Sequence, residues 1–271
     1  MNLRSISLLG CGNMGLILLK SLVSLPGVLP GEVSACDPDA SARKRAAHYG
    51  VRTALSAREC VQDKGLVVIA VKPQNVVSLI EEIRGGIDRE ALLVSIVAGF
   101  PIDRLQLLLG WKAKIARAMP NTPSQIKKGM TALTYSPEVS TEEKAFTRRM
   151  FNRIGKTAVV PESQMDAVTA LSGSGPAYLF TFVEALVAGG ISAGLSEQVA
   201  FQLVSQTIFG SIKMLIKSGF TPGEQIKKVA SPGGTTQAGL LALETGGFRE
   251  AVISAVGAAA RRAAELGKGQ A

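Results

Sequence analysis

Two short stretches hold residue types that do chemistry at a useful spacing. Ser231-Pro232-Gly233-Gly234-Thr235-Thr236 interrupts helix-forming sequence with two glycines, then places two hydroxyls where the next helix begins. Free backbone N–H groups at a helix start form a small anion site, and a hydroxyl beside them reaches a bound polar atom. Ser231, Gly233, Gly234, Thr235 and Thr236 are therefore candidates to hold a small anionic ligand. Taken alone, the stretch also reads as a helix-breaking turn with a threonine cap.

The second stretch is Gly10-Cys11-Gly12-Asn13-Met14-Gly15. A strand-length apolar run, Ser5-Ile6-Ser7-Leu8-Leu9, precedes it, and a helical pattern at Leu16, Leu19, Leu22 and Val23 follows. In that setting Gly10 permits the tight turn, Gly12 lets a pyrophosphate approach the backbone, and Gly15 lets helix and strand pack closely. Asn13 and Met14 open the helix whose N–H groups face the phosphates. A second strand, Glu32 to Cys36, ends at Asp37, about 20 residues after the glycines, where a carboxylate accepts from the adenosine ribose diol. A carboxylate there repels a 2′-phosphate and leans toward NADH, whereas Arg43, Lys44 and Arg45 on the next helix could reach one. Asp37-Pro38-Asp39 also reads as a capping turn, so the cofactor is NADP(H) or NAD(H), with the preference open.

The elements that must position these residues follow from periodicity. Apolar strands at 66–71, 91–96 and 114–118 alternate with helices, which indicates a parallel sheet covered on both faces. Their ends carry Val71-Lys72-Pro73, Ala98-Gly99 and Asn121, placed where open α/β sheets bind ligands, so these residues join the cofactor candidates. Strands at 130–135 and 156–160, flanking a helix from Thr141 to Phe151, complete the sheet. Beyond Pro161 the strand pattern stops. The expected organisation is a dinucleotide-binding domain over 1–163 and a helical domain over 164–271.

In the second domain, Ser172-Gly173-Ser174-Gly175-Pro176 reads as a break between two helices, with the proline opening the next. Later helices carry apolar stripes, such as Phe201, Val204, Ile208, Ile212 and Leu215. A helical domain this apolar lacks the polar surface to stand alone, and burial against a second copy of itself is the expected solution.

Composition narrows the function classes. The net charge of +9 is spread as isolated basic pairs and aromatics are only 5%, so no nucleic-acid partner is expected. No run of eighteen apolar residues occurs, so no membrane span is expected. Glycines 10, 12 and 15 and Lys20 break the faintly signal-like stretch Leu3–Leu25. Three widely spaced cysteines and one histidine provide no metal-ligand set and suit a reducing cytoplasm.

The two stretches together with Ala70-Val71-Lys72-Pro73-Gln74, Ser95-Ile96-Val97-Ala98-Gly99, Met119-Pro120-Asn121-Thr122-Pro123 and Ala170–Tyr178 come in an order that resembles the pyrroline-5-carboxylate reductases, across essentially the whole chain. The resemblance implies an N-terminal Rossmann-type domain with a C-terminal all-helical dimerisation domain. It implies NAD(P)H-dependent reduction of 1-pyrroline-5-carboxylate to L-proline by dimers, often assembled into decamers. It gives Thr236 the role of hydrogen-bonding the substrate's ring nitrogen and the Gly234–Thr235 backbone that of holding its carboxylate. Ser172 and Gly175 line the pocket in this reading. Many members have a short polar residue where this chain has Asp37. A related imine or β-hydroxyacid reductase, or a non-catalytic nucleotide-binding protein, remains the alternative on the same fold.

Overall fold

Among the described residues, eight strands form one sheet: β1 (Ile6–Leu9), β2 (Val33–Cys36), β3 (Arg52–Ala54), β4 (Leu66–Ile69), β5 (Leu92–Ser95), β6 (Lys114–Met119), β7 (Gly129–Tyr135) and β8 (Gly155–Val159). The computed structural model describes residues 5–268, so the outermost residues of both expected domains, 1–4 and 269–271, lie outside it. Strand order is β3-β2-β1-β4-β5-β6-β7-β8, and the pairing from β3 through β6 is parallel throughout. The first six strands thus follow the order of a dinucleotide-binding sheet, with the reversal between β1 and β4. β1, β2, β4 and β5 are buried at every position, as strands covered on both faces must be.

Helices α1 (Asn13–Leu22), α2 (Ala40–Ala47), α3 (Ala57–Cys60), α4 (Val76–Ile83), α5 (Ile102–Leu109) and α6 (Thr141–Asn152) supply that cover. Leu18, Leu19 and Leu22 of α1 join Met150 and Phe151 of α6 in one core. Ile80 and Ile83 of α4 join Leu105 and Leu109 of α5 in the other. The start of α6 shows why these helices begin where they do. Ser140 Oγ accepts from the Glu143 N–H at 3.2 Å while Glu143 Oε2 accepts from the Ser140 N–H at 2.7 Å, a reciprocal cap.

Three features depart from the reading of the sequence. β3 is a strand that periodicity did not show, because only three residues pair and two of them are exposed. Glu32 lies in a 3₁₀ turn, Pro30–Glu32, so β2 begins one residue later. β7 runs antiparallel to β6, with Met119 opposite Ala132 and Ala116 opposite Tyr135, whereas β8 is parallel to β7.

The chain divides into two compact units, one formed up to Ser174 together with the chain from Ala258 onward, the other by Gly175–Gly257. In the first unit, α7 (Met165–Val168) runs into a π-helical turn at Thr169–Gly173, closed by the Ser174 N–H donating to Thr169 O at 2.9 Å. The expected helix break at Ser172–Pro176 is therefore a widened turn, one residue longer than an α turn.

The second unit contains α8 (Gly175–Ser192), α9 (Glu197–Ser218), α10 (Pro222–Val229), α11 (Thr235–Thr245) and the start of α12 (Phe248–Lys268). Ser196 caps α9 by accepting from the Val199 N–H. Gly190 of α8 meets Ala200 of α9 closely: a Cβ on the glycine would stand 3.1 Å from the alanine Cβ. Phe182 of α8 stacks, tilted, on Phe248 with ring centroids 5.7 Å apart. Yet α8 and α11 bury no residue fully, and Phe180, Phe201, Phe209 and Ile216 are each more than half exposed. Two stretches, Glu162–Ser192 and Glu197–Ser218, are long and apolar enough to cross a membrane, with mean hydropathy 1.2 and 1.4. The sequence criterion of an unbroken apolar run missed them because Glu184 and Lys213 interrupt the runs without lowering the average below that of a span.

Candidate active site

The glycine-rich stretch lies at the reversal between β1 and β4. The Gly10 N–H donates to Cys36 O at 2.8 Å, and the Ala70 N–H donates to Leu9 O at 2.8 Å, so Gly10 sits between β2 and β4. Its φ is +101°, and a Cβ there would stand 2.6 Å from Ala70 O. Only glycine fits. A Cβ on Gly15 would run into the Gly10 carbonyl oxygen, so helix and turn touch backbone to backbone. Gly12 differs: a Cβ there meets nothing within 4 Å, and no side chain caps the N-terminus of α1 that it opens. An uncapped helix start with open space over its glycine is the cradle a pyrophosphate requires, with Asn13 and Met14 in the first turn.

Asp37 continues β2 into the same region. Its Oδ2 accepts from the Cys11 N–H at 2.7 Å and its Oδ1 from the Asp39 N–H at 2.9 Å, which fixes the plane of the carboxylate. Beside it opens a cleft of 380 Å³ lined by Leu9, Gly10, Cys36, Asp37, Leu79 and Glu82 among others. Val71 lines it too, whereas Lys72 and Pro73 lead into a short 3₁₀ turn, with Lys72 exposed. The cleft and the glycine turn fit the adenosine and pyrophosphate of a nicotinamide dinucleotide. Glu82 was not singled out from the sequence. It lies on the solvent side of α4, outside any motif, and only the cleft reveals it. The Cys11 thiol beneath the turn is pushed up to about 12, first by burial and then by the Asp37 carboxylate, so it stays a neutral packing group.

The remaining cofactor candidates divide by what they touch. Gly99 has φ +65°, and a Cβ there would stand 2.8 Å from Leu266 Cβ, so its lack of a side chain admits the end of α12. Arg104 Nη1 adds a hydrogen bond to Gly267 O at 3.1 Å. Ala98, beside it at the end of β5, is half-buried. Asn121 is engaged at both ends of its amide: Oδ1 accepts from the Met130 N–H at 2.8 Å, and Nδ2 donates to Ser172 O at 3.2 Å. The structure thus joins Asn121 to Ser172, which the sequence had assigned to different ligands.

The Ser231–Thr236 loop lies in the second unit. Gly233 takes φ +70°, and its N–H donates to Gln237 Oε1 at 2.6 Å. The Gly234 N–H donates to Ser231 O at 3.1 Å, closing the turn, and Gly234 then opens α11 with no capping side chain. The turn is tight: a Cβ on Gly234 would stand 2.6 Å from Ser231 Oγ. Neither threonine caps the helix. Thr235 and Thr236 are instead its first two residues, with the Thr236 side chain half-buried and Thr235 exposed. Such a start offers the N–H groups of its first turn to an anion, with a hydroxyl alongside. Gly175, at the start of α8, has open space where a side chain would be.

Comparison with known proteins bears on both units. The sequence pattern described as pyrroline-5-carboxylate reductase dimerisation matches residues 162–266, and that described as NADP oxidoreductase, coenzyme F420-dependent, matches residues 5–99. The chain is 36% identical to the pyrroline-5-carboxylate reductase of Escherichia coli over 267 residues, which covers 98% of this chain and 99% of that protein. It is 38% identical to that of Synechocystis over 264 residues, 97% and 98% of the two chains. Among solved structures, the Plasmodium falciparum pyrroline carboxylate reductase with NADP bound superposes with a TM-score of 0.88 at 30% identity, covering 97% of this chain and 98% of that one.

Proposed function

We infer that this chain, which belongs to the pyrroline-5-carboxylate reductase family, reduces 1-pyrroline-5-carboxylate to L-proline with NAD(P)H, the last step of proline biosynthesis. The observation that carries the reading is the match to reductases of that name over nearly the full length of both chains. It takes in the cofactor turn and the C-terminal loop alike.

The substrate is a cyclic imine bearing a carboxylate. Protonation of its nitrogen gives an iminium whose imine carbon, C2 of the pyrroline ring, accepts a hydride, and the nicotinamide would supply that hydride when bound. The chain's own tasks are to bind, orient and exclude water, and positioning of this kind is worth about 7–11 kcal/mol. For the cofactor we propose Gly10, Gly12, Asn13, Met14 and Gly15 as the phosphate cradle, with Asp37 and Val71 beside the adenosine. Lys72, Pro73, Ala98, Gly99 and Asn121 set the strand ends around it.

For the substrate we propose the start of α11. Gly233 and Gly234 shape the turn, and their N–H groups are used within it. The Thr235 N–H then serves the carboxylate, in a charge-assisted bond worth about 1.5–3 kcal/mol. The Thr236 hydroxyl bonds the ring nitrogen and holds its proton in place. A threonine hydroxyl does not titrate near neutrality, so that proton comes with the substrate or from water. Ser231 supports the turn, and Ser172 and Gly175 are proposed as further substrate-binding residues.

The protein is an oligomer, and we propose a dimer built on the helical unit, assembling further into decamers. The exposed apolar faces of α8 and α9 support this over insertion in a membrane, because Glu184 lies in the middle of α8 and α9 carries Lys213 within its length. Three buried, unpaired thiols suit the cytoplasm. The functional test is oxidation of NADH or NADPH with pyrroline-5-carboxylate and analysis of the product. Proline as product supports the reading. Turnover with 3-hydroxy acids or their keto partners and none with the imine rejects it.

A further inference from the structure

Resting on the reductase reading above, we propose that Asp37, together with Glu82 in the same cleft, makes this chain select NADH over NADPH. A carboxylate has about four lone-pair positions on its two oxygens. Backbone N–H groups of Cys11 and Asp39 take one on each oxygen of Asp37. One acceptor position per oxygen is left, which matches the two hydroxyl donors of an adenosine ribose diol. A 2′-phosphate removes one of those donors and brings about two negative charges to the same spot.

Glu82 strengthens the exclusion. Its Oε1 accepts from the Ala57 N–H at 2.8 Å, the Ser56 hydroxyl at 3.2 Å and the Arg58 N–H at 3.3 Å, so α4 presents this carboxylate to the start of α3. Asp37 and Glu82 both line the cleft, and among the described residues no lysine or arginine does. Of the three basic residues on α2, Lys44 is exposed and does not line the cleft, and the two arginines are engaged elsewhere. Arg43 Nη1 donates to Asp37 O at 2.6 Å and Pro38 O at 3.0 Å, and Arg45 Nη1 donates to Ser41 Oγ at 3.1 Å. Arg43 is thereby pinned to backbone carbonyls behind the carboxylate.

Titration of NADH and NADPH into the purified protein without substrate, followed by nicotinamide fluorescence, reads the preference directly. Steady-state kcat/KM for both cofactors with pyrroline-5-carboxylate reads it in turnover. We expect NADH to bind at least about tenfold tighter, the scale that one uncompensated like-charge contact sets. Asp37→Ser should move the ratio toward NADPH by about tenfold or more, and Glu82→Gln should tighten NADPH alone by a smaller factor. Asp37→Asn keeps an acceptor for the Cys11 N–H and serves if the serine variant does not fold. Wild-type protein that binds NADPH tighter, or a ratio unmoved by the Asp37 variants, overturns the proposal. Cofactor binding in the expected ratio without imine turnover would sink the substrate reading and leave this inference standing.

Discussion

The side-chain amide of Asn121 donates from Nδ2 to the carbonyl oxygen of Ser172 at 3.2 Å. That carbonyl lies four residues before Pro176, which has no N–H to give it. Asn121 therefore serves an acceptor that the helix itself leaves open, while its Oδ1 holds the Met130 N–H at the start of β7. Asn121→Ala should remove both bonds and cost about 1–3 kcal/mol, read as a lower denaturant midpoint at unchanged slope. A midpoint equal to wild type would show that the link carries no stability.

Glu162 joins two other elements. Its Oε1 accepts from the Ile102 N–H at the start of α5, at 2.8 Å, and from Arg117 Nη1 on β6, at 3.2 Å. Arg117 is only 4% exposed, so Glu162→Ala would leave a buried cation unpaired. The expected cost is about 3–5 kcal/mol. Arg117→Met combined with Glu162→Gln should restore much of it, and a double variant no better than Glu162→Ala would contradict the pairing.

The glycine turn separates folding from binding. Gly12→Ala meets open space, so the melting temperature should change little, whereas affinity for the dinucleotide should fall tenfold or more because the methyl occupies the cradle. Gly15→Ala strikes the Gly10 carbonyl oxygen and should lower the melting temperature itself. The reverse pattern would place the cradle elsewhere.

Burial pushes the thiols of Cys11 to about 12, of Cys36 to about 11, and that of Cys60 upward, and it raises Tyr135 to about 12. Above pH 9 the unfolded chain loses thiol protons that the folded chain keeps, so stability falls as pH rises, by up to about 1.4 kcal/mol per pH unit for each thiol. Lys64, lowered by burial, pulls the other way, whereas Lys114, raised by its hydrogen bond to Glu90, adds to the fall. Melting temperatures measured from pH 8 to 11 should decline steadily, and a thiol reagent at pH 8 should label the protein only after denaturant is added. Rapid labelling of the native protein would contradict the burial.

Much of this fold is legible in the sequence because a doubly covered parallel strand reads as a near-continuous apolar run, as Leu66–Ile69 does throughout and Leu92–Ser95 does up to its serine. Arg52–Ala54 escaped because an edge strand of three residues needs only one buried side chain. The direction of β7 escaped because alternation is the same for either sense of pairing. Ser172–Pro176 reads as a break because a π turn leaves no periodic mark, and Pro176 argues for interruption. At the site, Gly10–Gly15 and Asp37 announce themselves by spacing. The partnership of Asn121 with Ser172 and the place of Glu82 depend on tertiary contacts that no local pattern encodes.

The central claim is that the start of α11 orients a cyclic imine through the Thr236 hydroxyl. It is tested most directly by kcat/KM for pyrroline-5-carboxylate at saturating cofactor in wild type, Thr236→Ala and Thr236→Ser. The account predicts that alanine loses about 10- to 150-fold, the worth of one hydrogen bond to a charged group, with cofactor affinity unchanged, and that serine recovers most of it. An alanine variant with wild-type kcat/KM would contradict it.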